Sequence, residues 1–305
     1  VNLQNTKKIL PWLCLITGGC LIGLRTGLGK LAVAAGWQPL AFMFWSLLLG
    51  GFVLLAAARL FGVKPSLDKA HLTYYFIAGL ISLAIPIGLT FTSIPHVGVG
   101  FASLCEAFPP LVTYVLATAI GMERLKMIRA AGILCGLVGA ILLTLGKIGE
   151  DNASPAWMLV AMTAPVFLGL GNIYRKRYWP AGADALALAP GMMLAGAVPL
   201  AVFAAISGIA LSTAPAGAWA SALFIMQAVI LAAMYAIFLT LQKTVGVMYM
   251  SQVGSIGMVA GTAFAVAALG EELSPLLPPA GMMIFFGVLL VTRRKEARQP
   301  YGDTG

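Results

Sequence analysis

Hydrophobic residues in this chain gather in ten runs, at 10–31, 38–60, 71–92, 95–117, 127–146, 156–175, 184–206, 219–242, 247–269 and 275–293. A helix needs about 20 apolar residues to cross a bilayer, so each run predicts a transmembrane helix. The polar segments between them are short and leave no room for a soluble domain. Trp12, Trp37, Trp157, Trp179 and Trp219 fall near run ends, where an amphipathic indole anchors at a membrane interface. The polar residues 299–305 are expected to form a disordered tail.

Charge gives the runs a direction. Sixteen of the nineteen Lys and Arg residues fall on one side. They are Lys7 and Lys8; Arg59, Lys64 and Lys69; Arg124, Lys126 and Arg129; Arg175, Lys176 and Arg177; Lys243; and Arg293, Arg294, Lys295 and Arg298. The other side has Lys147, with Glu150, Asp151, Glu271 and Glu272 nearby. Cytoplasmic loops retain Lys and Arg, so both termini are expected in the cytoplasm. The chain is then a multi-pass protein of a bacterial-type inner (plasma) membrane. Its first run is expected to act as an uncleaved insertion signal.

Composition agrees: 60% of the residues are hydrophobic and 10% charged, too apolar for a soluble fold of this length. A net charge of +9 raises nucleic acid as a partner. The charges are scattered at run ends with no basic patch, so lipid headgroups are the expected partner and nucleic acid is not. Cys14, Cys20, Cys105 and Cys135 lie in apolar runs without metal-ligand or redox spacing, which suits small packing residues. Neither a metal nor a cofactor is expected.

The chain also repeats. Shifted by 148, residues 72–147 lie on 220–295 without a gap, with Val97-Gly98-Val99 on Val245-Gly246-Val247, Ser103 on Ser251, Glu123 on Glu271 and Gly139 on Gly287. The first run of each half matches at a shift of 146, with Gly23-Leu24 on Gly169-Leu170 and Lys30 on Lys176. The predicted units are 1–148 and 149–298, five helices each. Five is odd, so the second half enters the membrane inverted, a frequent construction of secondary transporters. The fold class expected is therefore an all-α integral membrane protein, with ten transmembrane helices in two inverted repeats.

These features resemble the ten-helix EamA-type permeases of the drug/metabolite transporter superfamily, over essentially the whole chain. The resemblance rests on the duplicated halves, on Gly-Met-Glu-Arg-Leu (121–125), on Gly-Glu-Glu-Leu-Ser-Pro (270–275), and on Gly-Lys-Leu-Ala (29–32) closing the first run. Trp45 departs from it, standing where the family's Arg is expected. The resemblance implies movement of small metabolites, often amino acids outward, with some members conferring resistance to organic cations.

An ionisable group in mid-membrane costs about 2.5–3.5 kcal/mol on insertion scales, so two residues invite a functional reading. Arg25 lies about 22 Å and Glu106 about 18 Å above the inner surface, counted at 1.5 Å per helical residue. They fall at matching depth. Their repeat counterparts are Gly171 and Gly254, so neither charge belongs to the shared scaffold. Two readings stay open: an ion pair that fixes helix register, or a site for substrate or protons. Pro109 and Pro110 follow Glu106 and deprive the carbonyls of Cys105 and Glu106 of helical amides. Such a break exposes polar backbone to a cavity; Pro86 makes a weaker case.

Other polar residues within the runs include Ser103, Asn172, Gln227, Tyr235, Tyr249 and Ser251, and the aromatics Phe101, Trp45 and Phe238 could line a cavity. Tyr249 and Ser251 stand out because their helix mirrors that of Glu106, and Phe101 and Tyr249 are repeat counterparts. Gly19, Gly23 and Gly27, Gly132 and Gly136, and Gly257 and Gly261 form small-residue stripes for close helix packing. His96, near the outer surface, is either solvated or gates by protonation.

The expected cavity draws on the first, third, fourth, sixth, eighth and ninth helices. The function expected is a secondary transporter or facilitator that exports small metabolites, amino acids first, by alternating access. Arg25 would meet a carboxylate and Glu106 an amine. A proton-coupled exporter of organic cations is the alternative, with Glu106 serving proton and drug. A membrane enzyme on a lipid-linked substrate is a distant third, since no hydrolase, metalloprotease or nucleotide-binding motif is present. Oligomeric state stays open between monomer and homodimer.

Overall fold

The computed structural model describes residues 3–146, 154–211, 217–245, 250, 252–272 and 274–292. Within them the chain is helical, and local sequence sets the helix ends. α1 is Leu3–Ala34 and α2 is Pro39–Leu60, where Gln38 accepts the Ala41 amide and proline stands at the first helical position, a place that needs no amide hydrogen. Asp68 caps α3, Lys69–Gly79, by accepting the His71 amide. A π turn, Leu80–Ala84, then leads into α4, Ile85–Cys105. α5 is Pro109–Ala119, α6 Met127–Leu145 and α7 Pro155–Arg177. α8 is Ala185–Ile206, opened by an Asp184 cap on Leu186, and α9 is Ala218–Val245. α10 is Val253–Leu269 and α11 is Leu277–Thr292.

These segments make ten crossings. The third runs through α3, the π turn and the first part of α4, and turns over at Gly98, whose φ is 80°. That backbone angle belongs to glycine. The boundary expected between residues 92 and 95 therefore lies later: Pro95 and His96 are still in the third crossing, and His96 does not open the fourth. The fourth crossing is the rest of α4 followed by α5, interrupted between Cys105 and Pro109.

Packing follows the repeat. α1 packs on α10 as α7 packs on α4 and α5; α2 packs on α9 as α3 packs on α8; α6 packs on α11, and α2 on α8. The expected glycine stripes lie in these seams. A Cβ on Gly23 would stand 2.4 Å from the Gly261 amide nitrogen, and one on Gly19 the same distance from Ile256. Across the α6–α11 seam, a Cβ on Gly287 would meet the Gly132 carbonyl at 2.6 Å and one on Gly132 would meet the Gly287 carbonyl at 2.7 Å. Backbones approach this closely only where side chains are missing, as helices do in a bilayer.

The outward faces are apolar, with Leu134, Ile141, Val202, Val229 and Phe286 exposed. Trp12 and Trp219 are exposed, but Trp37 is buried and donates to the Ala220 carbonyl at 3.1 Å. It ties the first loop to α9 instead of anchoring in lipid headgroups. The expected tail 299–305 lies outside the described residues.

Candidate functional site

Two proline breaks face one another across the bundle. Pro110 offers no amide to the Glu106 carbonyl, and the chain tightens: Glu106, Ala107 and Phe108 donate to Ser103, Leu104 and Cys105. The Cys105 carbonyl, expected to be left open, is thus taken by Phe108. On the third crossing Pro86 offers nothing to the Ser82 carbonyl, which accepts the Tyr235 hydroxyl at 3.3 Å instead. The π turn sits just before it, and such turns recur at functional sites.

Between the breaks lies a narrow cavity of about 600 Å³, its open side included. Its polar groups are Arg25 from α1, Glu106 from the fourth crossing, Asn172 from α7 and Tyr235 from α9. Ile22, Ile87, Leu168, Met234 and Phe238 form an apolar wall, and Pro86, Pro109 and Gly254 complete it. The six helices are those expected from sequence.

Arg25 and Glu106 form an ion pair through Nη2 and Oε1, with side chains only 4% and 9% exposed. The Arg25 cation also lies 5.6 Å from the Phe91 ring centroid. Its Nε and Nη1 are buried with no hydrogen-bond partner among the described residues. A buried donor without an acceptor is costly, so the guanidinium has capacity for a second anionic or carbonyl group.

Behind the wall, Arg175 is wholly buried. Its Nε donates to Gln242 at 2.8 Å and its Nη2 to Asn172 at 2.6 Å, and its charge lies 5.0 Å from the Phe238 ring. Asn172 donates in turn to Thr113 at 3.1 Å. Two cavity residues, Asn172 and Phe238, are thereby fixed from behind. Sequence reasoning missed Arg175 because it stands in the run Arg175-Lys176-Arg177 and reads as a topological charge. Its spacing of three from Asn172, one face of a helix, was the signal.

At one end of the bundle Glu271 joins three elements. It accepts from Lys30 at 2.6 Å, and from the amides of Val99 and Gly100, both at 2.9 Å. Burial raises its pKa, but these hydrogen bonds outweigh that and hold it below the ordinary carboxylate value. At the other end its counterpart at the shift of 148, Glu123, accepts from Arg129 at 3.3 Å and lines a smaller pocket with Lys176.

Several expected site residues lie elsewhere. Trp45 is partly exposed and donates to the Leu211 carbonyl at 2.7 Å. Phe101 is buried in a second apolar cluster with Leu104 and Ile284. Ser103 is buried where its Oγ would clash with a Cβ on Gly261. None of the three lines the cavity, because helical rotation turns them to other seams. His96 is exposed and stacks on Trp157, with centroids 4.2 Å apart. Tyr249 and Ser251 lie outside the described residues.

A polytopic helical bundle with a charged cavity between broken helices is the architecture of a membrane transporter of small molecules. Residues 10–145, somewhat less than half of the chain, match the EamA-like transporter family. A solved crystal structure, described only as that of a protein, superposes with a TM-score of 0.66 at 21% identity, over 92% of this chain and 98% of that one. It shares the fold. A glycerol-3-phosphate acyltransferase of Roseiflexus sp. (strain RS-1) is 27% identical over 195 residues, 58% of this chain and 90% of that protein.

Proposed function

We propose that the protein exports small zwitterionic metabolites, amino acids above all, from a bacterial-type cytoplasm by alternating access. Two inverted five-helix halves, 1–148 and 149–298, rock about the cavity, and both termini are cytoplasmic. The observation that carries the substrate reading is Arg25: two donors of its buried guanidinium are open beside the Glu106 carboxylate, in a pocket with an apolar wall. Open donors on a buried cation suit a carboxylate. Glu106 suits an ammonium, and Ile22, Leu168 and Met234 suit an aliphatic side chain.

Vesicles carrying the protein and loaded with leucine test this directly. Efflux above that of empty vesicles is expected. Resistance of cells to organic cations, without amino-acid efflux, would replace this reading with the proton-coupled cation exporter.

The acyltransferase relative raises the enzyme reading, and a cluster of serine, aspartate and histidine at the start of α3 gives it no support. Ser66 donates to Asp68 at 2.8 Å, and Asp68 meets His71 at 2.7 Å. The hydroxyl bonds the carboxylate and not the imidazole, so the three cap α3 and do not activate a nucleophile. Acyl transfer from an acyl donor to glycerol 3-phosphate by the purified protein would overturn this.

A further inference from the structure

Resting on the reading of the cavity as the substrate site, we propose that the Arg25–Glu106 pair is a charge filter. It admits molecules that carry one cationic and one anionic group together, and it passes them without net charge and without a proton.

The argument is a count of charges in a place where net charge is costly. Both members are buried, Arg25 within α1 and Glu106 in the break of the fourth crossing, and they neutralise each other through a single contact between Nη2 and Oε1. The empty cavity therefore holds a closed, neutral pair. A zwitterion opens it: its carboxylate takes donors of Arg25, its ammonium takes Glu106, and the sum stays at zero.

A lone cation must draw Glu106 away and leave Arg25 uncompensated. Arg25 has no escape by losing a proton, since guanidinium stays charged in proteins. A lone carboxylate leaves Glu106 with no cation. The cation case puts one unbalanced charge in the membrane interior, and the anion case does so unless a proton enters with the anion.

The other charged and titratable groups around Glu106 do not offer relief. α9 presents the Tyr235 phenol, engaged with Ser82, and α7 presents neutral Asn172, with cationic Arg175 behind it. α10 presents Gly254, and the fourth crossing itself adds the buried Cys105 thiol. Among these, Glu106 is the single acid.

The open donors on Arg25 make the exchange stepwise. An incoming carboxylate can bond Nε or Nη1 before Nη2 releases Glu106. The guanidinium is bonded throughout, which lowers the barrier to opening a buried pair.

Three probes of one shape separate the possibilities: leucine; 3-methylbutylamine, which lacks its carboxylate; and 4-methylpentanoate, which lacks its amine. With purified protein, leucine is expected to bind about a hundredfold more tightly than either, the factor one unbalanced buried charge implies. In vesicles, leucine flux is expected to carry no current and to leave internal pH unchanged. The Glu106→Gln variant should invert the order and take 4-methylpentanoate in preference to leucine, because Arg25 then stands alone.

The wild-type arms suffice if that variant fails to fold. Equal binding of the amine and leucine, or leucine flux that moves protons or charge, would overturn the filter while leaving an amino-acid transporter. Failure of all three probes to bind would overturn the substrate reading and the filter with it.

Discussion

At the scale of single residues, Arg25 and Glu106 pair and line the cavity, so a register-fixing pair and a substrate site would occupy the same place. Removing one partner leaves a buried charge unbalanced, which costs about 3–5 kcal/mol in comparable pairs. Glu106→Ala is therefore expected to lower thermal stability sharply, and adding Arg25→Gln to recover much of the loss. Equal stability of Glu106→Ala and wild type would show that the pair is not formed in the folded protein. Arg175→Lys should weaken binding without touching substrate, since an ammonium cannot hold Gln242 and Asn172 in the planar fork that fixes the wall. Binding unchanged by that substitution would remove Arg175 from the site. Arg25 and Glu106 were legible because charge in a long apolar run is rare for energetic reasons. Trp45 and Phe101 misled because size and ring chemistry say nothing about which face of a helix a residue occupies.

At the scale of elements, prolines and glycines carried most of the information. The breaks at Pro86 and Pro109 follow from a missing amide, and the seams follow from missing side chains. Gly287→Ala would push a methyl into backbone atoms of α6 at 2.6–2.8 Å, and a cost of about 1–3 kcal/mol is expected. A thermal midpoint unchanged by that mutation would mean the seam opens freely. The Glu271 junction was not legible as a contact, because it joins residues 30, 99, 100 and 271 across three elements. Its carboxylate is held below the ordinary value of 4.5. A group depressed in the folded state adds stability that is complete above its unfolded pKa and fades as pH falls through the folded one. Stability should thus decline below about pH 4.5 by this route, and Glu271→Gln should flatten that acid limb, as denaturation curves across pH 3–6 would reveal.

At the scale of the whole molecule, segments that match at the shift of 148 make matching contacts, α2 on α9 and α3 on α8, though the shift itself did not name the pairs. It did not anticipate that the third crossing would continue to Val97, because Pro95 reads as a stop in sequence yet is accommodated within the helix. The direction in which the bundle sits in the membrane rests on charge alone. A reporter fused between residues 148 and 153 is expected to read as external, and one after residue 298 as cytoplasmic. The opposite result at either point would reverse the proposed route of export.

Gly254 touches the residue whose counterpart it is. A Cβ there would stand 2.1 Å from the Glu106 carbonyl, so the two equivalent positions of the duplicated halves meet each other at the centre. A doubled architecture faces a conflict at such a point, since whatever one copy places there the other must vacate. A glutamate at 254 as well as at 106 would meet both a lack of space and like-charge repulsion. Divergence at the centre is then a condition of the halves closing on one another, and the chemical polarity of the cavity follows from that geometric exclusion.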